Sequence, residues 1–194
     1  DYLIADQTLI PKEKRTHYSE KIAYMPYSYQ VNVSNRDVSQ DPVSRYEYGL
    51  PKKGFVFCCF NNNYKITISV FSIWMRILLA VEDSVLWLLE NESITKKNLI
   101  QEAEKFGINK DRLVFAEMAP VEDHLNRLRL ADLFIDTLPY NAHTTASDAL
   151  RMGVPVLTCI GESFASRVAA SLLSALKLHS LITKSHSEYE SLAI

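Results

Sequence analysis

Residues 133–158 read LFIDTLPYNAHTTASDALRMGVPVLT, and the rest of the chain follows the pattern that they set. Two short apolar runs, 133–135 and 155–158, are separated by a polar turn and by an amphipathic segment that ends at Gly153. Short continuous apolar runs are typical of strands buried on both faces, and glycine commonly follows the last turn of a helix. The stretch therefore predicts two parallel strands joined by a helix over 144–152.

The same alternation repeats along the chain from Tyr46 onward. Predicted strands lie at 55–60, 85–89, 112–115, 133–135 and 155–158. Predicted helices lie at 69–79, 93–106, 120–128, 144–152 and 164–176, and another begins at 188. This order predicts an α/β fold with a doubly wound, Rossmann-like parallel sheet. Ligands of such sheets bind at the carboxyl ends of the strands, so we expect the site in the turns that leave them.

Composition argues against several classes of partner. The 194 residues carry a formal net charge of −2, which gives no general attraction to nucleic acid or to anionic membranes. No apolar stretch reaches the length of a membrane span, and the first residues lack the segments of a signal peptide. The three cysteines lie in apolar runs without CxxC spacing, so we expect reduced core thiols and a cytoplasmic protein.

The first polar turn follows the apolar run 55–60 and contains Asn61, Asn62, Asn63 and Lys65. Amide side chains can hydrogen-bond to sugar or phosphate oxygens, and a lysine offers a positive charge to phosphate. Asparagine also favours turns and helix caps, so a structural turn explains the pattern equally well. The residues alone leave both interpretations open.

The strongest candidate is the turn Asn141–Thr145, which precedes a predicted helix. A helix that begins near Thr144 presents free backbone N–H groups and the positive end of its dipole to an anion. Asp148 lies four residues later on the same side of that helix, where a carboxylate can accept both hydroxyls of a ribose. The alternative is a well-capped structural helix beside a buried Asp136.

Two further turns carry weaker signals. His124, near the start of a predicted helix, is either a residue that stacks on a base or a surface histidine. Glu162 and Arg167 either pair with each other or contact a ligand. No DxD, Walker A or GxGxxG spacing occurs, so we expect neither a metal ion nor a cofactor.

Taken together, these turns resemble the SPINDLY-like O-linked N-acetylglucosaminyltransferase family. The resemblance rests on FNNNYKI at 60–66, DTLPYNAHTTASD at 136–148, GESFASRVAAS at 161–171 and YSEKIAYMP at 18–26. It implies a glycosyltransferase B fold, whose second lobe binds the UDP-sugar without an essential metal ion. By this resemblance, residues 1–45 are a remnant of the first lobe with a connector. Residues 46–194 are then the nucleotide-sugar-binding lobe, truncated at its C-terminus.

The resemblance also implies roles for individual side chains. Lys65 would contact the diphosphate of the donor as the catalytic cation, and Asn62 would lie beside it. Ala119 would meet the uracil through its backbone, and His124 would stack near the uridine. Val121 stands where animal members carry a lysine near the nucleotide. The remaining donor-binding residues would be His143, Thr144 and Thr145 at the phosphates and Asp148 at the ribose.

Members of this family transfer a sugar to a serine or threonine hydroxyl with inversion, and their first lobe and tetratricopeptide repeats supply much of the acceptor site. This chain contains no such repeat. We therefore expect the donor-binding part of a transferase that moves N-acetylglucosamine from UDP-N-acetylglucosamine to protein, as a fragment with little or no activity alone. The alternatives are a non-catalytic remnant or interaction domain, and another nucleotide-sugar enzyme such as an epimerase. Fucose and glucose also remain open as the sugar.

Overall fold

Parallel strands form the centre of the molecule. The computed structural model of the chain describes residues 1–33 and 37–194. Its strands are β1 (Tyr2–Ala5), β2 (Lys21–Tyr24), β3 (Val56–Cys59), β4 (Val85–Leu89), β5 (Leu113–Ala116), β6 (Leu133–Ile135), β7 (Val156–Cys159) and β8 (Ile182–Thr183). Within the described ranges, β3 to β8 form one sheet in which every pairing is parallel. The predicted fold class is thereby confirmed.

The order of the strands identifies where the winding of the sheet reverses. The spatial order is β5-β4-β3-β6-β7-β8, so the chain winds outward in one direction from β3 and in the other direction from β6. This is the order of doubly wound dinucleotide-binding sheets, whose ligands bind at the point of reversal. A ligand site is therefore expected at the turns that follow β3 and β6.

The helices cover the predicted segments with small shifts. They are α1 (Ile68–Ala80), α2 (Ser93–Lys105), α3 (Val121–Leu128), α4 (Thr144–Arg151), α5 (Val168–Ala175) and α6 (His186–Ala193). The sequence predicts Pro120 as the first residue of α3, but in the structure Pro120 is its N-cap. The helix predicted at 164–176 is wrong in its first part, which forms a 3-10 turn over Phe164–Ser166. Arg167 separates the two pieces because its backbone, at φ −127° and ψ −3°, is not helical.

The core lies on both faces of the central sheet. All residues of β3 and β7 are buried, as continuous apolar strands require. Trp74 of α1 and Trp87 of β4 are among the largest fully buried side chains, and the ring of Phe60 meets that of Trp87 at 4.9 Å. Each such side chain contributes about 2–3 kcal/mol through the apolar surface that it removes from water.

The cysteines agree with the expectation of core thiols. Cys58, Cys59 and Cys159 are buried and free. Burial raises the pKa of Cys58 well above its usual value, so this thiol stays protonated and unreactive. No helix in the described part of the chain is both long enough and apolar enough to cross a bilayer.

The N-terminal residues pack against the sheet through α5. Strands β1 and β2 pair in parallel and bury Ala5, Leu9 and Ile10 against Val168. A 3-10 segment, Lys12–His17, lies between these two strands in the chain. The predicted connector includes residues 34–36, which lie outside the described ranges. The proposed division of the chain at residue 45 stays a prediction.

A single carboxylate joins these N-terminal residues to α5. Asp6 Oδ1 accepts the backbone N–H groups of Thr8 and Leu9 at 2.9 and 3.0 Å. Its Oδ2 accepts the N–H of Tyr29 at 3.0 Å and the hydroxyl of Ser171 at 2.6 Å. The residue is only 2% exposed, so these donors replace water around its side-chain oxygens.

We predict that Tyr189→Phe destabilises the fold by about 1–3 kcal/mol, the usual effect of leaving buried polar groups without a partner. The Tyr189 hydroxyl is fully buried in α6, accepts Trp74 Nε1–H at 3.1 Å and donates to the carbonyl of Asp136 at 3.0 Å. Urea unfolding followed by circular dichroism measures the change. Tyr46→Phe, at a side chain that is 91% exposed, is the control and should change stability by less than about 0.5 kcal/mol. Equal stabilities of the Tyr189 variant and the unsubstituted chain would contradict the prediction.

Candidate functional site

The turns that follow β3 and β6 meet at the point where the winding reverses. Lys65, in the turn after β3, donates from Nζ to the carbonyl of Asn141, in the turn after β6, at 3.0 Å. The same ammonium lies 3.9 Å from the centroid of the Tyr140 ring. Burial lowers the pKa of Lys65, and the field of Asp136 opposes that effect. The structure thus brings the predicted catalytic cation to the turn that the sequence marked as the strongest candidate.

Buried hydrogen bonds of Asn61 connect the two turns. Its side chain is 1% exposed, donates from Nδ2 to the Thr137 hydroxyl at 2.7 Å, and accepts the Thr145 hydroxyl at Oδ1. Asn62, the predicted donor ligand, is exposed and accepts the N–H of Tyr64 at 3.3 Å. The turn-and-cap interpretation therefore describes Asn62 in this structure, and its role toward a ligand stays a prediction.

Asp136 shapes the turn after β6 from a fully buried position. One carboxylate oxygen accepts the N–H groups of Thr137 at 2.8 Å and Ala142 at 2.6 Å, and the other accepts the Thr158 hydroxyl at 2.7 Å. Burial raises the pKa of this carboxyl to about 7, although these hydrogen bonds and Lys65 act to lower it. These hydrogen bonds hold the turn around the buried Asp136 side chain at the carboxyl end of β6.

The start of α4 has no side-chain cap. His143 is the N-cap residue and makes no capping hydrogen bond, and no acidic residue lies in the first turn. The alternative interpretation of a well-capped helix is therefore wrong, since the Thr145 hydroxyl donates to Asn61 instead. Among the residues that the structure describes, none offers a side-chain acceptor to the first N–H groups of α4, which is the usual condition of an anion site.

His143 connects this helix start to the N-terminal residues. Its Nδ1 lies 3.4 Å from the hydroxyl of Tyr29, and its ring lies 5.4 Å from that of Tyr140. Burial and the nearby charge of Lys65 lower the pKa of His143, so the imidazole is neutral at pH 7. Tyr29 also packs edge-on against Phe164 at 5.2 Å. The sequence gives no signal for Tyr29, because its neighbours here lie more than a hundred positions away.

A second group of predicted residues lies beyond the end of β5. Ala119 lines a hollow of about 440 Å³ together with Tyr48 and Arg127. His124 accepts a hydrogen bond at Nδ1 from the Arg127 guanidinium at 2.9 Å, so Nε2 carries the ring proton. Burial and the charge of Arg127 lower the pKa of His124 to about 4, and the ring meets Phe60 at 5.2 Å. His124 is thus a fixed, neutral ring and not a solvated surface histidine.

Arg127 is a residue that the sequence analysis missed. It is 2% exposed, donates to the carbonyl of Glu117 at 2.7 Å, and lies 5.3 Å from the centre of the Phe60 ring. Its position three residues after His124 on a helix was the available signal. Arg127 sets both the tautomer and the orientation of His124.

Asp148 lines a different cavity. This cavity of about 340 Å³ lies between α4, α5 and the N-terminal residues, and Ser28, Ser147 and Leu172 also line it. The N-terminal residues are held there because Ser147 donates to Asn32 at 2.8 Å and Arg151 to the carbonyl of Val33 at 2.7 Å. Asp148 lies one helical turn after Thr144 on α4, as predicted. Its role toward a ribose stays a prediction.

Glu162 and Arg167 do not pair with each other, so that interpretation is wrong. Glu162 forms an ion pair with Lys14. Arg167 donates to the carbonyls of Thr8 and Gly161, both at 2.7 Å. Glu162 and Arg167 thus connect the turn after β7 to the N-terminal residues, through Lys14 and through the carbonyl of Thr8.

The described residues contain no cluster of three or more histidine, cysteine, aspartate or glutamate side chains arranged to hold a metal ion. The candidate site residues instead offer amides, hydroxyls, the imidazoles of His124 and His143, the carboxyl groups of Asp136 and Asp148, the Lys65 ammonium and the Arg127 guanidinium. Such groups suit an anionic, hydroxyl-rich ligand. The expectation that no metal ion takes part stays a prediction.

Comparison with known proteins agrees with the resemblance read from the sequence. The model of glycosyl transferase family 41 matches residues 33–194. The Arabidopsis thaliana protein SEC, named as a probable UDP-N-acetylglucosamine–peptide N-acetylglucosaminyltransferase, is 39% identical over the whole chain, which spans 20% of that relative. The Caenorhabditis elegans enzyme named UDP-N-acetylglucosamine–peptide N-acetylglucosaminyltransferase is 41% identical over 78% of the chain and 13% of its own length. A mutant O-GlcNAc transferase of Thermobaculum terrenum superposes over the whole chain and 36% of its own, with a TM-score of 0.88 and 32% identity.

We predict that Asp136 makes the free energy of unfolding fall as the pH rises from about 4 to about 7. The folded-state pKa of about 7 exceeds the value near 4 expected in the unfolded chain, so the folded protein holds a proton that unfolding releases in this window. Asp136→Asn keeps the shape of the side chain and removes the titration. The stability of the unsubstituted chain relative to this variant should fall by on the order of 2 kcal/mol across the window.

Urea unfolding at several pH values measures this difference. Asp111→Asn, at an exposed aspartate, is the matched control and should leave the slope unchanged. Parallel pH profiles of the unsubstituted chain and Asp136→Asn would contradict the prediction.

Proposed function

The chain belongs to glycosyl transferase family 41, and on this premise we propose that it is the donor-binding part of an inverting protein O-glycosyltransferase. The proposed reaction transfers N-acetylglucosamine from UDP-N-acetylglucosamine to a serine or threonine hydroxyl. The names of the Arabidopsis thaliana and Caenorhabditis elegans relatives support this donor. The chain spans about a fifth of the Arabidopsis thaliana protein, so the activity of the complete enzyme is part of the proposal.

The contact between Lys65 and the turn after β6 is the observation that carries the proposal. It places an ammonium beside the uncapped start of α4, at the point where the sheet reverses its winding. As the acceptor oxygen attacks the anomeric carbon, the bond from that carbon to the diphosphate breaks and the leaving UDP gains negative charge. Lys65 and the first N–H groups of α4 would stabilise that charge without rearrangement.

The uridine is assigned to the residues around His124 and Asp148. The neutral ring of His124, fixed by Arg127, offers a flat surface for stacking and an Nε2–H donor. The backbone of Ala119 would meet the edge of the uracil, and the carboxylate of Asp148 would accept the ribose hydroxyls. Thr144 and Thr145 would lie at the phosphates with His143.

The acceptor side of the reaction is assigned to residues outside this chain. We expect the first lobe and tetratricopeptide repeats to bind the protein acceptor and to supply the general base. Residues 1–45 would then be the part of the first lobe that this chain carries. We further expect a cytoplasmic enzyme without a metal requirement and without nucleic-acid or membrane partners.

Calorimetric titration with UDP tests the proposal. We predict that the chain binds UDP, and that Lys65→Ala weakens binding by about 10- to 100-fold, because a charge-assisted contact contributes about 1.5–3 kcal/mol. Asp148→Asn should weaken binding by a smaller factor. Lys97→Ala, an exposed lysine on α2, is the matched control and should bind as the unsubstituted chain does. A folded chain that gives no heat with UDP would favour a non-catalytic remnant.

Competition between nucleotides tests the base. A base that meets the Ala119 backbone is recognised by its own donors and acceptors, which differ between uracil and guanine. We therefore predict that UDP-N-acetylglucosamine displaces UDP and that GDP-fucose at the same concentration does not. Displacement by GDP-fucose would contradict the assignment of the uracil and would point to a fucose donor.

A further inference from the structure

We propose that Tyr140 is a positioning residue that holds the Lys65 ammonium in place before the donor binds. The inference rests on the proposed function, because it assigns a role toward the same diphosphate. The family resemblance gave Tyr140 no role, and the sequence offered it only as part of a turn. The folded chain brings the turns after β3 and β6 together, and Tyr140 thereby meets Lys65.

The surroundings of Lys65 explain why an aromatic ring suits this position. Among the described residues, Lys65 makes no ion pair within 4 Å, and its ammonium is held by the Asn141 carbonyl and the face of the Tyr140 ring. A carboxylate in place of the ring would neutralise the charge, and the diphosphate would have to displace it. A ring attracts the cation through its quadrupole and leaves the positive charge available to an anion.

The backbone at Tyr140 is held by the hydrogen bonds around Asp136. The Tyr140 carbonyl accepts the Thr137 hydroxyl at 2.6 Å, and Thr137 donates its backbone N–H to Asp136. The ring lies between those of Tyr64, at 6.3 Å, and His143, at 5.4 Å. The backbone that carries the ring is therefore held by the same turn that would bind the phosphates, and two neighbouring rings contact the ring itself.

The exposure of Tyr140 places this contact at the mouth of the site. The side chain is 40% exposed, whereas Asn61, Asp136 and Asn141 behind it are buried. A lysine at such an entrance loses considerable side-chain freedom when it binds a ligand, and a ring that already restricts it reduces that loss. The expected benefit is a tighter complex with UDP.

The test compares Tyr140→Phe and Tyr140→Leu by UDP titration and by NMR. Phenylalanine keeps the ring, so we expect UDP affinity within about 2-fold of the unsubstituted chain. Leucine removes the ring, and we expect about 3- to 10-fold weaker binding. The matched control is Tyr2→Leu, because Tyr2 is 73% exposed and its ring centroid lies 6.0 Å from the Nζ of Lys21, outside the candidate site. It should bind UDP as the unsubstituted chain does.

Two readouts separate positioning from general structural damage. The ε-methylene protons of Lys65, assigned through Lys65→Ala, should show an upfield ring-current shift that Tyr140→Phe keeps and Tyr140→Leu loses. In the Lys65→Ala background, Tyr140→Leu should cause no further loss of affinity, because the two residues act as one unit. Additive losses, or a Lys65 resonance that is unaltered in Tyr140→Leu, would overturn the inference.

The outcomes also distinguish this inference from the proposed function. UDP binding by the unsubstituted chain that Tyr140→Leu does not weaken would overturn the inference alone. No UDP binding by the folded, unsubstituted chain would overturn the proposed function, and the inference with it. UDP binding that falls with leucine and recovers with phenylalanine would support both.

Discussion

The carboxylate of Asp136 lies at the end of β6 with no exposed surface, and the candidate site depends on the hydrogen bonds that it accepts. Its bonds to the N–H groups of Thr137 and Ala142 close the turn into a loop. The loop carries Tyr140, and the carbonyl of Asn141 meets Lys65 from the neighbouring turn. The carboxyl group therefore supports the turn from beneath the site.

Much of the fold could be predicted because parallel strands buried on both faces leave a plain apolar signal. The run at 85–89 coincides with β4, and those at 133–135 and 155–158 fall within one residue of β6 and β7. Strand β8 could not be predicted, since it has two residues and exists through its pairing with Thr158 and Cys159. Arg167 interrupts a helix whose apolar spacing is continuous, and its side chain donates to the carbonyls of Gly161, six residues before it, and of Thr8, near the N-terminus.

The sequence could predict which turns form the site, but not most of the side-chain contacts that hold those turns. Lys65 and Asn141 could be placed at one edge because each follows a buried strand, and the structure joins them. The contributions of Asn61 and Tyr29 could not be foreseen, since each acts through side-chain partners that only the folded chain brings near. Arg127 was missed although it lies three residues after His124 on a helix. The ligand roles of Asn62, Ala119, His124 and Asp148 remain predictions that binding measurements decide.

The buried hydroxyl of Tyr189 has a consequence for how the molecule would respond to a ligand. It bridges α6 to the carbonyl of Asp136, at the base of the turn that would hold the phosphates. Any ligand that binds only the ordered turn lowers the population of states in which this bridge is open. Backbone amides of α6 would then exchange with solvent more slowly when the site is occupied, although α6 contributes no side chain to the residues assigned to the donor.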